Sequence, residues 1–279
     1  MLKSKKYPAK LLLFGEHLIL DGADGLAIPF DRYGGKWTKG QGSDPLKCFF
    51  QHLLDLPFIH LKNLEEIING KIHFKSDIPR GYGLGSSGAL CAAIYEKAVP
   101  EFYKKEGGTI LTELAEIEGF FHGKSSGMDA YVALYNNPIL FKDRKTEVIN
   151  LDLSKLPFSI FLLDSGIPRE SKSLINRFTK KNDDHMVIKE LVKTSDLLVG
   201  YLMSQSFAHF QNKMKALSQY QYDLLDYMIV ATIKPIWKNS LTADDYSIKL
   251  CGAGGGGFYL AFGNPDAIQN LGISSVRVI

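Results

Sequence analysis

Apolar and polar residues follow two different periods along this chain, and the points where the period changes predict its elements. Lys10 to Phe14 is a short apolar run bounded by Pro8 and Gly15, which predicts a buried strand. Ile72 to Phe74 predicts another, followed by the glycine-rich turn Gly81-Tyr-Gly-Leu-Gly-Ser-Ser-Gly88 and by Ala89 to Val99. That last stretch is rich in alanine, has no internal glycine and stops before Pro100, so it predicts a helix. From Thr109 to His122, Ile110, Leu111, Leu114, Ala115, Ile117 and Phe121 share one stripe at helical spacing. Glu118 lies in the middle of that stripe, whereas Glu113 and Glu116 point the other way, as solvated carboxylates do. A carboxylate facing a core is costly unless a cation or hydrogen-bond donors meet it, so Glu118 needs a chemical explanation.

Beyond a loop from Gly123 to Asp129, the pattern predicts strands near Pro138 to Phe141 and Phe158 to Asp164. Three or four helices follow between Ser171 and Lys238, with polar breaks near Lys181 to Asp184 and at Gln205. Ile248 to Leu250, the turn Cys251-Gly-Ala-Gly-Gly-Gly-Gly257 and Phe258 to Phe262 read as strand, glycine loop and strand. Turn signals over Asp152 to Pro157 place a boundary there, which divides the chain into residues 1–152 and 153–279.

Composition narrows the function classes. The 279 residues are 45% hydrophobic and 23% charged, enough for one large or two modest globular domains. A net charge of +3, spread evenly, lacks the clustered stripe of a nucleic-acid footprint. Cys48, Cys91 and Cys251 form no C-x-x-C pair and no disulfide framework, which points to a reducing, cytoplasmic compartment. No apolar run reaches the roughly 18 to 20 residues that a membrane span needs. The apolar patch after Lys3, Lys5 and Lys6 is interrupted by Glu16 and His17, so it is a first strand rather than a signal peptide.

Two glycine motifs invite familiar readings that their surroundings oppose. Gly83, Gly85 and Gly88 satisfy the dinucleotide pattern G-x-G-x-x-G, yet the acidic residue wanted about 20 positions on is met only by Glu106 in a turn. Gly123-Lys-Ser-Ser-Gly127 contains G-x-S-x-G around Ser125, but a helix rather than a strand precedes it. Its Gly-Lys-Ser also fails as a Walker A end, because the first glycine would fall at Glu118. The histidines have no zinc spacing.

What the first loop does offer is backbone N–H groups at a helix N-terminus followed by the hydroxyls of Ser86 and Ser87, a site for anions. A tight turn with a serine cap is the plainer alternative, and Asp129 alone reads as a cap or turn residue. Together, the loop, the core-facing Glu118, Asp129, Lys10 on the first strand and the second glycine turn make up the parts that phosphoryl transfer requires.

The chain resembles the GHMP small-molecule kinase superfamily, which includes galactokinase, homoserine kinase, mevalonate kinase and phosphomevalonate kinase. Three motifs carry the resemblance in the family's order: Pro8-Ala-Lys-Leu-Leu-Leu-Phe-Gly-Glu-His17, Pro79-Arg-Gly-Tyr-Gly-Leu-Gly-Ser-Ser-Gly-Ala89 and Lys249-Leu-Cys-Gly-Ala-Gly-Gly-Gly-Gly257. The mevalonate kinase branch also shares segments like His122-Gly-Lys-Ser-Ser-Gly-Met-Asp129 and Asp164-Ser-Gly-Ile-Pro-Arg-Glu-Ser-Lys172. The chain departs from the pattern at Ala9 for Gly, Gly88 for Ala and Cys251 for Thr. The helical stretch Tyr222 to Ser240 lacks the branch's Gly-Val-Ser.

The resemblance implies an α+β, two-domain fold, an N-terminal domain like domain 2 of ribosomal protein S5 and a ferredoxin-like C-terminal domain, with the active site in the cleft. It implies transfer of phosphate from ATP, with Mg2+, to the hydroxyl of a small molecule, mevalonate to 5-phosphomevalonate first. A sibling kinase of phosphomevalonate or of a sugar or heptose, and a non-catalytic nucleotide-binding homologue, are the alternatives. Asp129 and Lys10 would be catalytic. Gly83, Leu84, Gly85, Ser86, Ser87 and Gly88 would bind ATP, and Ser87 and Glu118 would hold the metal. Glu16 and His17 would meet the acceptor, and the turn with Gly252, Gly254, Gly255 and Gly256 would brace the site. The expected partner is the small alcohol alone, with no nucleic acid or membrane, in a monomer or homodimer.

Overall fold

The structure, a computed structural model, describes residues 5–40, 47–143, 145–169, 174 and 185–279. It contains two antiparallel sheets. Strands β1 (Tyr7–Phe14), β2 (Gly25–Lys39), β3 (Ile72–Ser76), β4 (Ile139–Lys142) and β5 (Lys145–Val148) form the first, in the order β1-β2-β4-β5 with β3 also on β2. The long β2 has β1 along one edge, paired from Leu26 to Gly35, and serves two partners in succession on the other: Gly25 to Ala27 pair with β4, and Gly35 to Lys39 pair with β3. Helices α1 (Lys47–Leu54), α2 (Glu65–Ile68), α3 (Ser86–Ala98), α4 (Gly107–His122) and α5 (Met128–Tyr135) belong to this half.

The second sheet has β6 (Ser159–Asp164), β7 (Tyr246–Leu250), β8 (Phe258–Gly263) and β9 (Ser275–Arg277) in the order β7-β8-β6-β9. Helices α6 (His185–Met203), α7 (Phe210–Leu224) and α8 (Lys234–Ser240) run between β6 and β7, and α9 (Pro265–Gln269) lies between β8 and β9. That connectivity is the split β-α-β-β-α-β arrangement, in agreement with the ferredoxin-like expectation.

What positions the site is the packing of α3 and α5 behind β1. Ala89, Ala92 and Ala93 of α3 and Ala130 and Ala133 of α5 are fully buried, and small side chains let two helix backbones approach closely. At the tightest point a Cβ on Gly88 would lie 2.7 Å from the carbonyl carbon of Asp129. The N-terminal ends of α3 and α5 are thereby brought side by side. The core runs on into the second sheet, where Phe14 of β1 meets Phe262 of β8 with ring centroids 5.9 Å apart and Phe210 of α7 at 6.3 Å.

Several elements differ from the sequence expectation. The helix expected from Ala89 starts at Ser86, and Asp129, expected to close a loop, stands in the first turn of α5. Glu113 is not a solvated carboxylate: Lys105 lies 2.7 Å away, and the Tyr95 hydroxyl also donates to it. The interruption at Gln205 appears as a left-handed residue, φ 55°. The helix start near Ser171 and the break at Lys181 to Asp184 fall outside the described residues. Among the described residues no helix is long and apolar enough to cross a membrane.

Candidate active site

Lys10 is the buried cation of β1, only 7% exposed, and it projects toward the N-terminal ends of α3 and α5. Its Nζ lies 2.6 Å from Oδ1 of Asp129. The pair leaves Oδ2 of Asp129 on the side of Gly85, 3.4 Å from where a Cβ on that glycine would stand. Strand β1 is fastened to the glycine loop by the Lys10 N–H, which donates to the Leu84 carbonyl at 2.9 Å. Leu84 thus serves the site through its backbone, while its side chain is in the core at 1% exposure.

Gly85 caps α3 in a left-handed conformation, and the first helical hydrogen bond runs from the Ala89 N–H to the Gly85 carbonyl. The first turn of a helix lacks intrahelical acceptors for its N–H groups, and its dipole end is positive. Gly83, Gly85, Ser86, Ser87 and Gly88 therefore present an anion cradle beside the Lys10–Asp129 pair.

Glu118 of α4 faces the same place. It is 2% exposed, and its two oxygens are met by hydroxyls: Ser87 at 3.3 Å on Oε1 and Ser125 at 2.6 Å on Oε2. Burial, together with the nearby Asp129 charge, raises its pKa to about 7, against the lowering effect of Ser125, Lys10 and Ser87. A buried carboxylate with hydroxyl oxygens beside it and an anion cradle next door suits Mg2+, which takes oxygen ligands and keeps one or two carboxylates plus phosphate and water. Among the described residues no three acidic, histidine or cysteine side chains gather into an all-protein metal cage.

The second glycine turn closes the site from the other sheet. Gly255 N–H donates to the Met228 carbonyl at 2.7 Å, and Gly257 N–H donates to that of Ile167 at 2.6 Å. A Cβ on Gly257 would touch the Tyr82 backbone at 3.0 Å, so the turn rests against the first glycine loop. Glu16 is 5% exposed, and its carboxylate is engaged by the fully buried Lys249 of β7, which also donates to the Leu250 carbonyl at 2.6 Å. Burial pushes the Glu16 pKa up and Lys249 pulls it down. His17, in a left-handed conformation with φ 62°, uses Nε2 toward the Ala253 carbonyl at 3.3 Å. Burial lowers its pKa to about 4, with the Arg169 charge acting in the same direction and the Ala253 contact opposing. Its imidazole is neutral at ordinary pH.

Arg169 stands between the two turns. Its backbone N–H donates to the Gly81 carbonyl at 2.9 Å. Its Nη1 lies 2.2 Å from a Cβ built on Gly83 and 2.7 Å from one built on Gly252, so glycine at both positions makes room for the guanidinium. Nη1 is buried with no hydrogen-bond partner among the described residues. Cys251 is buried near Lys249, Glu16 and Arg169, and burial raises its thiol pKa. Arg169, Lys249 and Ser125 were not among the residues assigned to the site from sequence. Arg169 had a signal in Ile167-Pro-Arg169, whereas Lys249 and Ser125 gain their roles only from contacts across the fold.

Residues 49–137 match the family described as the GHMP kinases N terminal domain. The chain is 29% identical over 212 residues to a mevalonate kinase of Arabidopsis thaliana, an alignment covering 66% of this chain and about half of that protein, 54%. It is 23% identical over 269 residues to a mevalonate kinase of Archaeoglobus fulgidus, covering 90% of this chain and 88% of the relative. In fold, it superposes on Streptococcus pneumoniae phosphomevalonate kinase, solved in complex with phosphomevalonate and AMPPNP, with a TM-score of 0.72 over 99% of this chain and 100% of that one at 14% identity. In the match of residues 49–137 and in its fold, the chain is similar to the GHMP kinases, a family of small-molecule kinases.

Proposed function

We propose that this protein phosphorylates the hydroxyl of a small anionic alcohol with ATP and Mg2+, and that the acceptor is mevalonate, which yields 5-phosphomevalonate. The observation that carries the reading is the Lys10–Asp129 pair, 2.6 Å across, set beside the N-terminal ends of α3 and α5. In this reading the first turn of α3, with Gly83 to Gly88, binds the phosphate chain, and Ser87 and Glu118 hold the cation. Bound Mg2+ would neutralise charge on the phosphate oxygens. Asp129 accepts the proton of the acceptor hydroxyl at Oδ2 while Lys10 occupies Oδ1 and favours the alkoxide. The acceptor oxygen bonds to the γ-phosphorus, the bond to the β,γ-bridging oxygen breaks, and ADP leaves with that electron pair.

The buried Nη1 of Arg169, which has no hydrogen-bond partner among the described residues, supports an anionic acceptor, since leaving a buried guanidinium donor unmet is costly. A carboxylate seated there, with neutral His17 beside it, would satisfy the donor, and a guanidinium pairs with carboxylates in two parallel bonds. Among the described residues the two buried lysines are already engaged, Lys10 by Asp129 and Lys249 by Glu16. Free thiols at Cys48, Cys91 and Cys251 accord with a reducing, cytoplasmic setting.

The test is ADP release by the purified protein with ATP and Mg2+ against mevalonate, phosphomevalonate, homoserine, galactose and heptose phosphates. Turnover that depends on mevalonate, with its KM raised by Arg169→Met, is the expected result. Turnover driven by another acceptor overturns mevalonate and keeps the kinase; no turnover with any of them, with ATP still bound, favours a non-catalytic nucleotide binder.

A further inference from the structure

We infer that Ser125 is a positioning residue that holds one oxygen of Glu118 inside the fold and leaves the other for the divalent cation, and that it thereby favours Mg2+ over Ca2+. The inference rests on the assignment of Glu118 as a metal-holding carboxylate under the proposed function.

Ser125 belongs to the G-x-S-x-G run that the kinase chemistry leaves without a use. Its hydroxyl donates to Oε2 of Glu118 at 2.6 Å, and its oxygen accepts the Gly127 N–H at 3.0 Å. A serine hydroxyl has one hydrogen to donate, so the bond to Glu118 uses its whole donor capacity and the bond to Gly127 fixes its direction. The turn itself is pinned to α4. Gly127 has φ 72°, and a Cβ on it would stand 2.3 Å from the Leu111 carbonyl oxygen and 2.9 Å from the Ala115 nitrogen. The backbone of the turn therefore cannot move away from Glu118 without lifting off the helix, and the Gly127 hydrogen bond holds the Ser125 hydroxyl against rotation.

The two oxygens of Glu118 are consequently unequal. Oε2 receives a short hydrogen bond from the pinned turn, while Oε1 has, among the described residues, the longer 3.3 Å contact to Ser87, the hydroxyl in the first turn of α3. A carboxylate held in this way offers a cation a single oxygen. Mg2+ is small and octahedral and is served by single oxygens, whereas Ca2+ readily takes both oxygens of one carboxylate. Loss of the Ser125 hydroxyl frees Oε2 and removes this bias. A serine that only shaped the turn would affect stability and leave the metal preference alone.

The test compares the wild type with Ser125→Ala, Ser125→Thr and Glu118→Gln by calorimetric titration of Mg2+ and of Ca2+ into the protein saturated with AMPPNP, with thermal unfolding alongside. We expect Ser125→Ala to weaken Mg2+ binding by about 10-fold, the lower end for loss of an outer-shell partner. Ca2+ binding should weaken less, so the Mg2+ to Ca2+ preference falls, and Ser125→Thr should restore it. An unchanged Mg2+ affinity in Ser125→Ala, or an equal loss for both cations, overturns the inference while the wild-type titration and its loss in Glu118→Gln still uphold Glu118. Wild-type Mg2+ binding that survives Glu118→Gln unchanged overturns the assignment of Glu118 itself, and the inference with it.

Discussion

Asp129 owes its place to a neighbour that has no side chain. Gly88 lies where α3 and α5 touch, and a Cβ there would stand 2.7 Å from the Asp129 carbonyl carbon and Cβ and 2.8 Å from the Ala130 nitrogen. Backbone cannot yield as a flexible side chain can, so Gly88→Ala must push α5 away from α3. We expect a loss of about 1 to 3 kcal/mol in stability and a fall in kcat with the KM for ATP little changed, measured by chemical unfolding and steady-state kinetics. This glycine stands where the family pattern has alanine, and the close approach of the two helices explains it. His17 makes a second prediction. Its pKa is lowered from 6.5 to about 4, so below pH 6.5 the unfolded chain binds a proton that the native state refuses. The stability it confers is full above pH 6.5 and is lost as pH falls toward 4. An NMR titration of the His17 ring should show a midpoint near 4; a midpoint near 6.5 would show that the ring is not held as described.

The strands and helices contribute through one buried charge pair. Lys249 of β7 and Glu16, just past the end of β1, have almost no exposure and bind each other across the two sheets. Removing one partner strands the other charge, whereas removing both does not. Lys249→Met should cost about 3 to 5 kcal/mol, and Glu16→Gln/Lys249→Met should recover most of that loss in the same denaturation series. If the double variant is as unstable as the single, the pair does not have this role. The pair also marks what the sequence could tell. Local pattern was enough for β1, for α4 with its misplaced Glu118, and for the two glycine turns, since each is written in neighbouring residues. It was not enough for β2, one edge of which answers to β4 and then to β3, or for α5, whose Gly-Met-Asp start reads as a loop until α3 packs against it. Glu16 carried a motif that suggested acceptor contact, and only the register of β7 shows Lys249 arriving at its carboxylate.

Across the molecule, the two sheets share aromatic packing. Phe14 from the first reaches Phe210 and Phe262, and Phe158 stacks on Phe210 at 4.7 Å. We propose residues 1–152 and 153–279 as the two units of the fold, joined through this cluster. The joint predicts one cooperative thermal transition rather than two, and Phe14→Ala should destabilise both units together by about 3 to 5 kcal/mol. Two separate calorimetric transitions in the wild type would contradict it. The cluster matters for activity because the groups of the site are divided between the units: Lys10, the α3 cradle, Glu118 and Asp129 lie in one, and Arg169 and the glycine turn in the other.

The most direct test of the central claim, that the Lys10–Asp129 pair takes the acceptor proton during phosphoryl transfer, is the rate at which labelled γ-phosphate passes from ATP to mevalonate in the wild type and in Asp129→Asn, with ATP binding measured on the same samples. Loss of the base should lower kcat by about 10²- to 10⁴-fold and leave ATP affinity within a few-fold, because the α3 cradle is untouched. Transfer at close to the wild-type rate in Asp129→Asn would contradict the account.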